Sequence, residues 1–282
     1  MKLHYAKYLL PAIATVAMLQ SCDEVDSDDR YIEIPAVEVK KAVLVEDFTG
    51  QRCTNCPTAH VMIEQLQEQY GDAFIPVSIH SGEQSISITS TRNNGLATPT
   101  GEAYDAAAGV APHGYPSMIV DYDFSHIYQG TDAVWVNAVR NALEQTTPVE
   151  LSCTATYNPA ASDGNPAIDI TATASSTSPY TGKLQLWIIE DGIVAPQMGV
   201  NGQSGFDRTY VHNNVFRAAA NGEWGQDITL NPDTDPVSVT ISYPLTDTWQ
   251  LTWVPANLKI VAFAYSTPGG VAQALRVPVT VE

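Results

Sequence analysis

The stretch KAVLVEDFTGQRCTNCPTAH, Lys41 to His60, decides how the chain is read. It opens with a short Val-rich apolar run, Lys41–Phe48, of the kind a buried strand shows. Two cysteines follow, Cys53 and Cys56, and Pro57 comes directly after them. From Cys56 onward, apolar residues recur three or four apart at Ala59, Met62, Ile63, Leu66 and Tyr70. That spacing predicts an amphipathic helix over Cys56–Tyr70, ended by Gly71. The two thiols therefore fall where a strand turns into a helix. Three readings are open at this spacing: a redox dithiol, half of a metal site, or a disulfide that staples a loop.

The redox reading has a physical basis. The first turn of a helix leaves backbone N–H groups unpaired, and the helix dipole places its positive end there. Both stabilise a thiolate, the species that attacks disulfides. Cys53 is expected to be the more exposed of the pair and the nucleophile. Cys56, one turn in, is expected to resolve the mixed disulfide. Arg52 adds positive charge beside Cys53, and Pro57 fits the first helical turn, where its missing N–H costs nothing.

Further along, AFIPVSIH (Ala73–His80) reads as a second buried strand and residues 81–99 as a polar loop or insertion. TGEAYDAAAGV reads as a short helix, YPSMIVDYDF as a third strand, and HIYQG as part of a hairpin. TDAVWVNAVRNALEQ predicts a helix with Asp132 near its start and Val134, Val136, Val139 and Leu143 as its apolar stripe. The order β-α-β-loop-α-β-β-α over roughly 42–147 implies a sheet covered on both faces. After Pro148 the texture changes to short strands, several alternating apolar with polar: VELSCTATY, AIDITATAS, KLQLWIIED, VSVTISYPL, LKIVAFAYS and ALRVPVTVE. Strands without clear intervening helices suggest an immunoglobulin-like β-sandwich. The expected organisation is a leader (1–21), an acidic tether (22–40), an α/β domain (41–147) and a β-sandwich domain (148–282).

The segment VLVEDFTGQRCTNCP resembles the strand–turn–CxxC–helix of the thioredoxin superfamily, and GYPS (Gly114–Ser117) resembles its cis-proline loop. The resemblance implies a thioredoxin-like domain in which Pro116 is cis beside the dithiol. Tyr115 would offer backbone groups to a substrate peptide, and Asp47, six residues before Cys53, would be the buried acid that helps deprotonate Cys56. The same position also suits a solvated carboxylate at a strand end. No aromatic residue precedes the CxxC, and the gap from Cys56 to Pro116 is long. Together with HNNVFRAAANGEWG (His212–Gly225), the whole pattern resembles the 28-kDa outer-membrane-protein family of Bacteroidetes. That implies a surface lipoprotein and candidate adhesin.

The two ends of this pattern set location and partners. MKLHYAKY is basic, LLPAIATVAML is an apolar run of eleven, and LQSC ends at Cys22. Eleven residues are too few to span a bilayer, which needs about 20, so this is a leader peptide. LQSC resembles a bacterial lipobox, which implies lipidation of Cys22 and anchoring through several acyl chains. The acidic run after Cys22 reads as a solvated tether and resembles a surface-export signal, implying an outer-membrane, surface-exposed protein. With 13 Lys plus Arg against 31 Asp plus Glu, the net charge is −18, which disfavours nucleic acid as a partner.

An exported compartment permits disulfides. The expected partners are exported protein thiols or disulfides, or a surface ligand, and no cofactor is expected beyond a redox-active Cys53–Cys56 disulfide. A competing reading places Cu(I) on the two thiolates with an imidazole from His60, His80 or His113. A third makes the dithiol a permanent disulfide in an adhesion or glycan-binding module, with Trp187, Trp224, Trp249 and Trp253 as either platform or core. Cys153 shares strand parity with Val149, Leu151 and Ala155 and reads as a buried free thiol. No G-x-S-x-G elbow and no P-loop is present.

Overall fold

The computed structural model describes residues 39–89, 94–130, 133–161 and 164–281, so the readings placed on the leader, Cys22, the tether and Asp132 lie outside the described residues. Apolar Val-rich runs form the first two strands, β1 (Val43–Thr49) and β2 (Phe74–His80), and every residue of β1 is buried. They pair in parallel, Val43 with Phe74 through Thr49 with His80, with helix α1 (Cys56–Tyr70) as the crossover. Helix α2 (Pro99–Ala108) begins with Thr98 accepting the Gly101 N–H and stops at Gly109 in the left-handed region. Strands β3 (Ser117–Val120) and β4 (Tyr128–Gln129) follow, then α3 (Ala133–Leu143). The β-α-β-α-β-β-α order expected from the sequence is the order observed.

Of the stripe expected on α3, Val139 is buried and Val136 and Leu143 pack half-buried against the same cluster, while Val134 is 51% exposed; the other buried residues are Trp135 and Ala142. Counting only valines and leucines missed the tryptophan, whose indole lies against Val43, Val45 and Met118. Helices α1 and α3 share that cluster on one face of the sheet, whereas Tyr104 and Ala108 of α2 pack on the other.

Besides short two-residue pairs, the remaining strands, those of the two larger sheets, are β5 (Val149–Asn158), β6 (Ala167–Ser176), β7 (Tyr180–Glu190), β8 (Val215–Ala219), β9 (Gln226–Leu230), β10 (Val237–Pro244), β11 (Leu258–Ser266), β12 (Gly270–Pro278) and β13 (Thr280–Val281). Strands β8 and β9 carry no strong alternation and were not anticipated. The large sheet has nine strands, ordered β12-β11-β7-β8-β2-β1-β3-β4, with β9 also on β7. The junction is β8, which joins β2 in parallel at Val215–Ser78 and β7 in antiparallel fashion on its other side. The sheet thus runs without interruption across residue 148, and residues 36–282 form one compact unit.

Strand β7 explains the continuity. Its run from Leu184 to Glu190 is buried on both faces. Leu184, Leu186 and Ile188 face a second, four-stranded sheet (β10-β6-β5-β13), while Trp187 and Ile189 join Leu44, Phe48 and Ile79 under α2. The described part of the molecule is therefore a mixed α/β fold made mostly of strands, with three helices among the described residues.

Replacing Trp135 by Ala is expected to lower the unfolding free energy by about 3–5 kcal/mol, because a large buried side chain leaves a cavity. Val134→Ala, one position along, is expected to stay within about 0.5 kcal/mol of the parent. Equilibrium denaturation of both variants checks which face of α3 is buried.

Candidate functional site

Strand β1 ends at Thr49, and the chain turns through Gly50–Asn55 into α1. Cys53 and Cys56 are joined by a disulfide, and the Cys56 backbone N–H donates to Cys53 Sγ at 3.1 Å. The sulfur thus collects one of the unpaired donors of the helix start. Pro57 occupies the first turn, as expected. The Tyr115–Pro116 peptide is cis, and Ser117 pairs with Phe48, so the bend lies where β1 delivers the chain to the dithiol loop.

Cys53 is the more exposed of the pair, as expected, but by little: it is 4% exposed and Cys56 fully buried. The reason is a pair of distant segments that wall the loop. On one side, Arg52 N–H donates to Gln84 O at 2.7 Å, and the Leu96 N–H donates to Gln51 Oε1 at 3.1 Å. A Cβ on Gly50 would stand 2.5 Å from Gln84 O, so only glycine allows this approach. On the other side, Gln197 donates its amide to Gly50 O at 3.2 Å and Cys53 O at 2.9 Å, and Met198 N–H donates to Gln51 O at 2.8 Å. Arg52 sends its guanidinium to the carbonyls of Glu83 and Ser85, so its charge is committed to the 81–97 insertion.

Asp47 is fully buried, and loss of hydration raises its pKa to about 7, with the Ser78 hydroxyl (3.3 Å) opposing the shift. The solvated alternative for this residue is therefore replaced by a buried acid. His60 lies one turn beyond Cys56, with Nε2 3.5 Å from Asp47 and 3.0 Å from Thr49 Oγ1, and Nδ1 2.9 Å from Tyr210 Oη. Burial lowers His60 to about 4 and His212 to about 3, and pushes His80 well below its usual value, with His212 nearby adding to the effect. Between about pH 4 and 7 the Asp47–His60 contact thus joins two neutral groups, despite its ion-pair distance. These histidines and Tyr210 border a cavity of about 20 Å³, room for roughly one water.

Strand parity sends the neighbouring carboxyl the other way. Glu46 is fully buried, both its oxygens lack a protein partner, and burial raises its pKa strongly. Tyr115 is half-buried. Its hydroxyl donates to Asp105 Oδ2 at 2.5 Å, and burial raises the phenol. Its ring lies so close to Gly82 that a Cβ there would stand 2.2 Å from the hydroxyl oxygen.

Around the end of β1 the structure brings together Asp47, Thr49 and His60; the Cys53–Cys56 disulfide lies on the loop that follows, and the cis Pro116 immediately precedes Ser117, the partner of Phe48. The structure leaves His113 exposed in a short 3-10 turn, away from His60 and His80. Among the described residues, no three His, Cys, Asp or Glu side chains stand close enough to hold a metal ion. Cys153 is a free thiol, half-buried against the inter-sheet core, and burial raises it to about 11. Trp187 and Trp253 are buried, and Arg217 sits over Trp249 and Trp253 while pairing with Glu190 at 3.2 Å, so these aromatics pack rather than form a platform. The roles of Gln197, Tyr210 and His212 escaped sequence reading because these residues lie 132–152 positions from the groups they meet at the site.

A family model described as outer membrane protein Omp28 matches residues 102–281, which leaves the dithiol loop outside the matched region. Among solved structures, HBP35 of Porphyromonas gingivalis superposes with a TM-score of 0.63 at 16% identity, covering 85% of this chain and 76% of that one. A domain of the outer membrane lipoprotein Omp28 from the same organism covers 48% of this chain and 91% of its own, at 19% identity and a TM-score of 0.31. The search of curated proteins found no match. The first structural likeness shows a shared fold, and the family match spans more than half of the sequence: the chain belongs to the Omp28 outer membrane protein family.

Proposed function

We propose that this is a lipid-anchored outer-membrane protein whose thioredoxin-like half carries out thiol–disulfide exchange on exported proteins. In the reduced form Cys53 attacks a partner disulfide and expels one partner thiol, a mixed disulfide forms, and Cys56 displaces the second partner thiol to leave Cys53 and Cys56 joined; the joined form accepts the reverse sequence from a dithiol partner. The observation that carries the reading is the assembly at the end of β1: a CxxC disulfide at a helix start, a backbone N–H on the Cys53 sulfur, a cis Pro116 just before the paired strand β3 and a buried acid at Asp47. Asp47 near neutrality suits a proton acceptor, since a group of that pKa both takes and returns a proton close to pH 7. The lipid on Cys22, the surface-facing orientation and the immunoglobulin-like character of the two-sheet region are part of this proposal. They rest on the LQSC motif, the acidic tether and the facing of the four-stranded sheet on β7 and β11.

A second reading is favoured by the exposures of 4% and 0%: a structural disulfide in a non-catalytic adhesin or binding module. A reductant cannot reach a sulfur that the closed form covers, so exchange requires an opening. Copper delivery has less support, since the two sulfurs are bonded to each other and, among the described residues, no metal-binding group of three ligands forms.

Two measurements separate the readings. Exchange predicts a dithiol reduction potential above about −300 mV and turnover on a model disulfide that Cys53→Ser abolishes, whereas a staple predicts a lower potential and no turnover. The buried acid is checked by stability against pH. Asp47 is protonated in the folded chain up to about 7, while the unfolded chain releases that proton near 3.8. The folded state binds the extra proton between those values, so wild-type stability is lost as the pH rises through that window. Asp47→Asn removes this dependence. Its stability advantage over wild type should grow by on the order of 1 kcal/mol per pH unit from 4 to 7 and level off above 8.

A further inference from the structure

The segment from Pro196 to Tyr210 departs from β7 and returns to β8, and it lies along the dithiol loop. Its ends are fixed. Ala195 is buried in a small apolar cluster with Leu96 and Val215, and His212 is buried beside His80, with ring centroids 5.2 Å apart. Between these anchors the attachment is polar. Gln197 reaches Gly50 O and Cys53 O, Met198 N–H reaches Gln51 O, Gln51 returns an amide hydrogen bond to Pro196 O at 3.1 Å, and Tyr210 meets His60. Gly199 lies so close to Thr54 that a Cβ would stand 2.1 Å from its carbonyl oxygen.

The segment therefore touches the residues on both sides of Cys53 and Cys53 itself. Its own regular structure is slight: Ile193–Val194 with Val211–His212, and Gln197–Met198 with Phe206–Asp207, each two residues long. Its tip, residues 201–206, is exposed, and Val194, Phe206 and Val211 face solvent at 63%, 41% and 49%. A segment with fixed ends, a polar seat and little apolar burial opens at low cost compared with the core.

We infer that residues 196–210 form an autoinhibitory strap, seated on the dithiol loop in the closed form and displaced when Cys53 meets a thiol partner. The strap occupies the side of the loop a partner peptide must approach, and Gln197 and Met198 use the hydrogen-bonding groups of Gly50, Gln51 and Cys53 that such a peptide would otherwise meet. This rests on the exchange reading for its purpose but not for its mechanics.

The test uses the mature full-length chain and a water-soluble phosphine, which reduces the disulfide to two thiols and is itself oxidised to the phosphine oxide. The wild-type rate should be at least tenfold below that of an unfolded CxxC peptide. Gln197→Ala, which removes the side-chain donors, and Gly199→Ala, whose Cβ meets Thr54, should each raise it tenfold or more. Tyr210→Phe should raise it less, since it removes one hydrogen bond and keeps the ring. Hydrogen exchange at Gly50–Thr54 should rise in the same variants while the melting temperature stays within a few degrees. Should Gly199→Ala fail to fold, the other two variants decide. A wild-type rate equal to the peptide's, or variants reduced no faster than wild type, overturns the strap. Turnover on a protein disulfide is followed in parallel. Faster phosphine reduction without turnover in any variant keeps the strap and removes exchange, whereas turnover with no response to the variants keeps exchange and removes the strap.

Discussion

Everything at the candidate site hangs from one constraint: β1 is buried on both faces over all seven residues. A strand in that position cannot pass a side chain to water on either side. Its two consecutive carboxyls, Glu46 and Asp47, are consequently forced into opposite dry layers, where burial favours their protonated forms. The same strand delivers the dithiol loop at its end, and its pairing with β3 brings the cis-proline bend to that end as well. The chemistry is thus located by sheet pairing, and its protonation states are set by the dryness that pairing creates.

How much of this can be read from sequence depends on the range of the interactions involved. The β1–turn–α1 unit was legible because every signal is local: a Val-rich run, a turn, a proline in the first helical turn and a 3.6-residue stripe. Asp47 was legible as a candidate through the thioredoxin resemblance, which its residue type and position match. The concealment of Cys53 was not, because it depends on Gln197 and Met198, whose partners are more than 140 residues away. Strand β8 was missed for a related reason. VFRAA is short and lacks clean alternation, yet it fits because β2 and β7 present edges that need a partner. The change of texture after Pro148 was real, but texture reports local strand pattern and not where a sheet ends. Trp135 shows the opposite error, in which the residue types were visible but Val134 was taken for the core in place of the tryptophan beside it.

The interior around His60 adds a physical argument about the resting state. Three imidazoles, a tyrosine hydroxyl and a carboxyl share one small region, with His80 lacking partners at both ring nitrogens. Charging any of the imidazoles there would place a cation in a dry layer beside its neighbours, so all three stay neutral down to pH values well below 6.5. Asp47 then lacks a cationic partner, which is why its carboxyl behaves as an acid near 7 and not as half of an ion pair. Asp47 and His60 therefore share one dry environment, and a change in the charge of either bears on the other. That coupling links the covering segment to the acid through Tyr210 and His60, so the electrostatics of the interior and the access to the sulfur are two aspects of one packed unit.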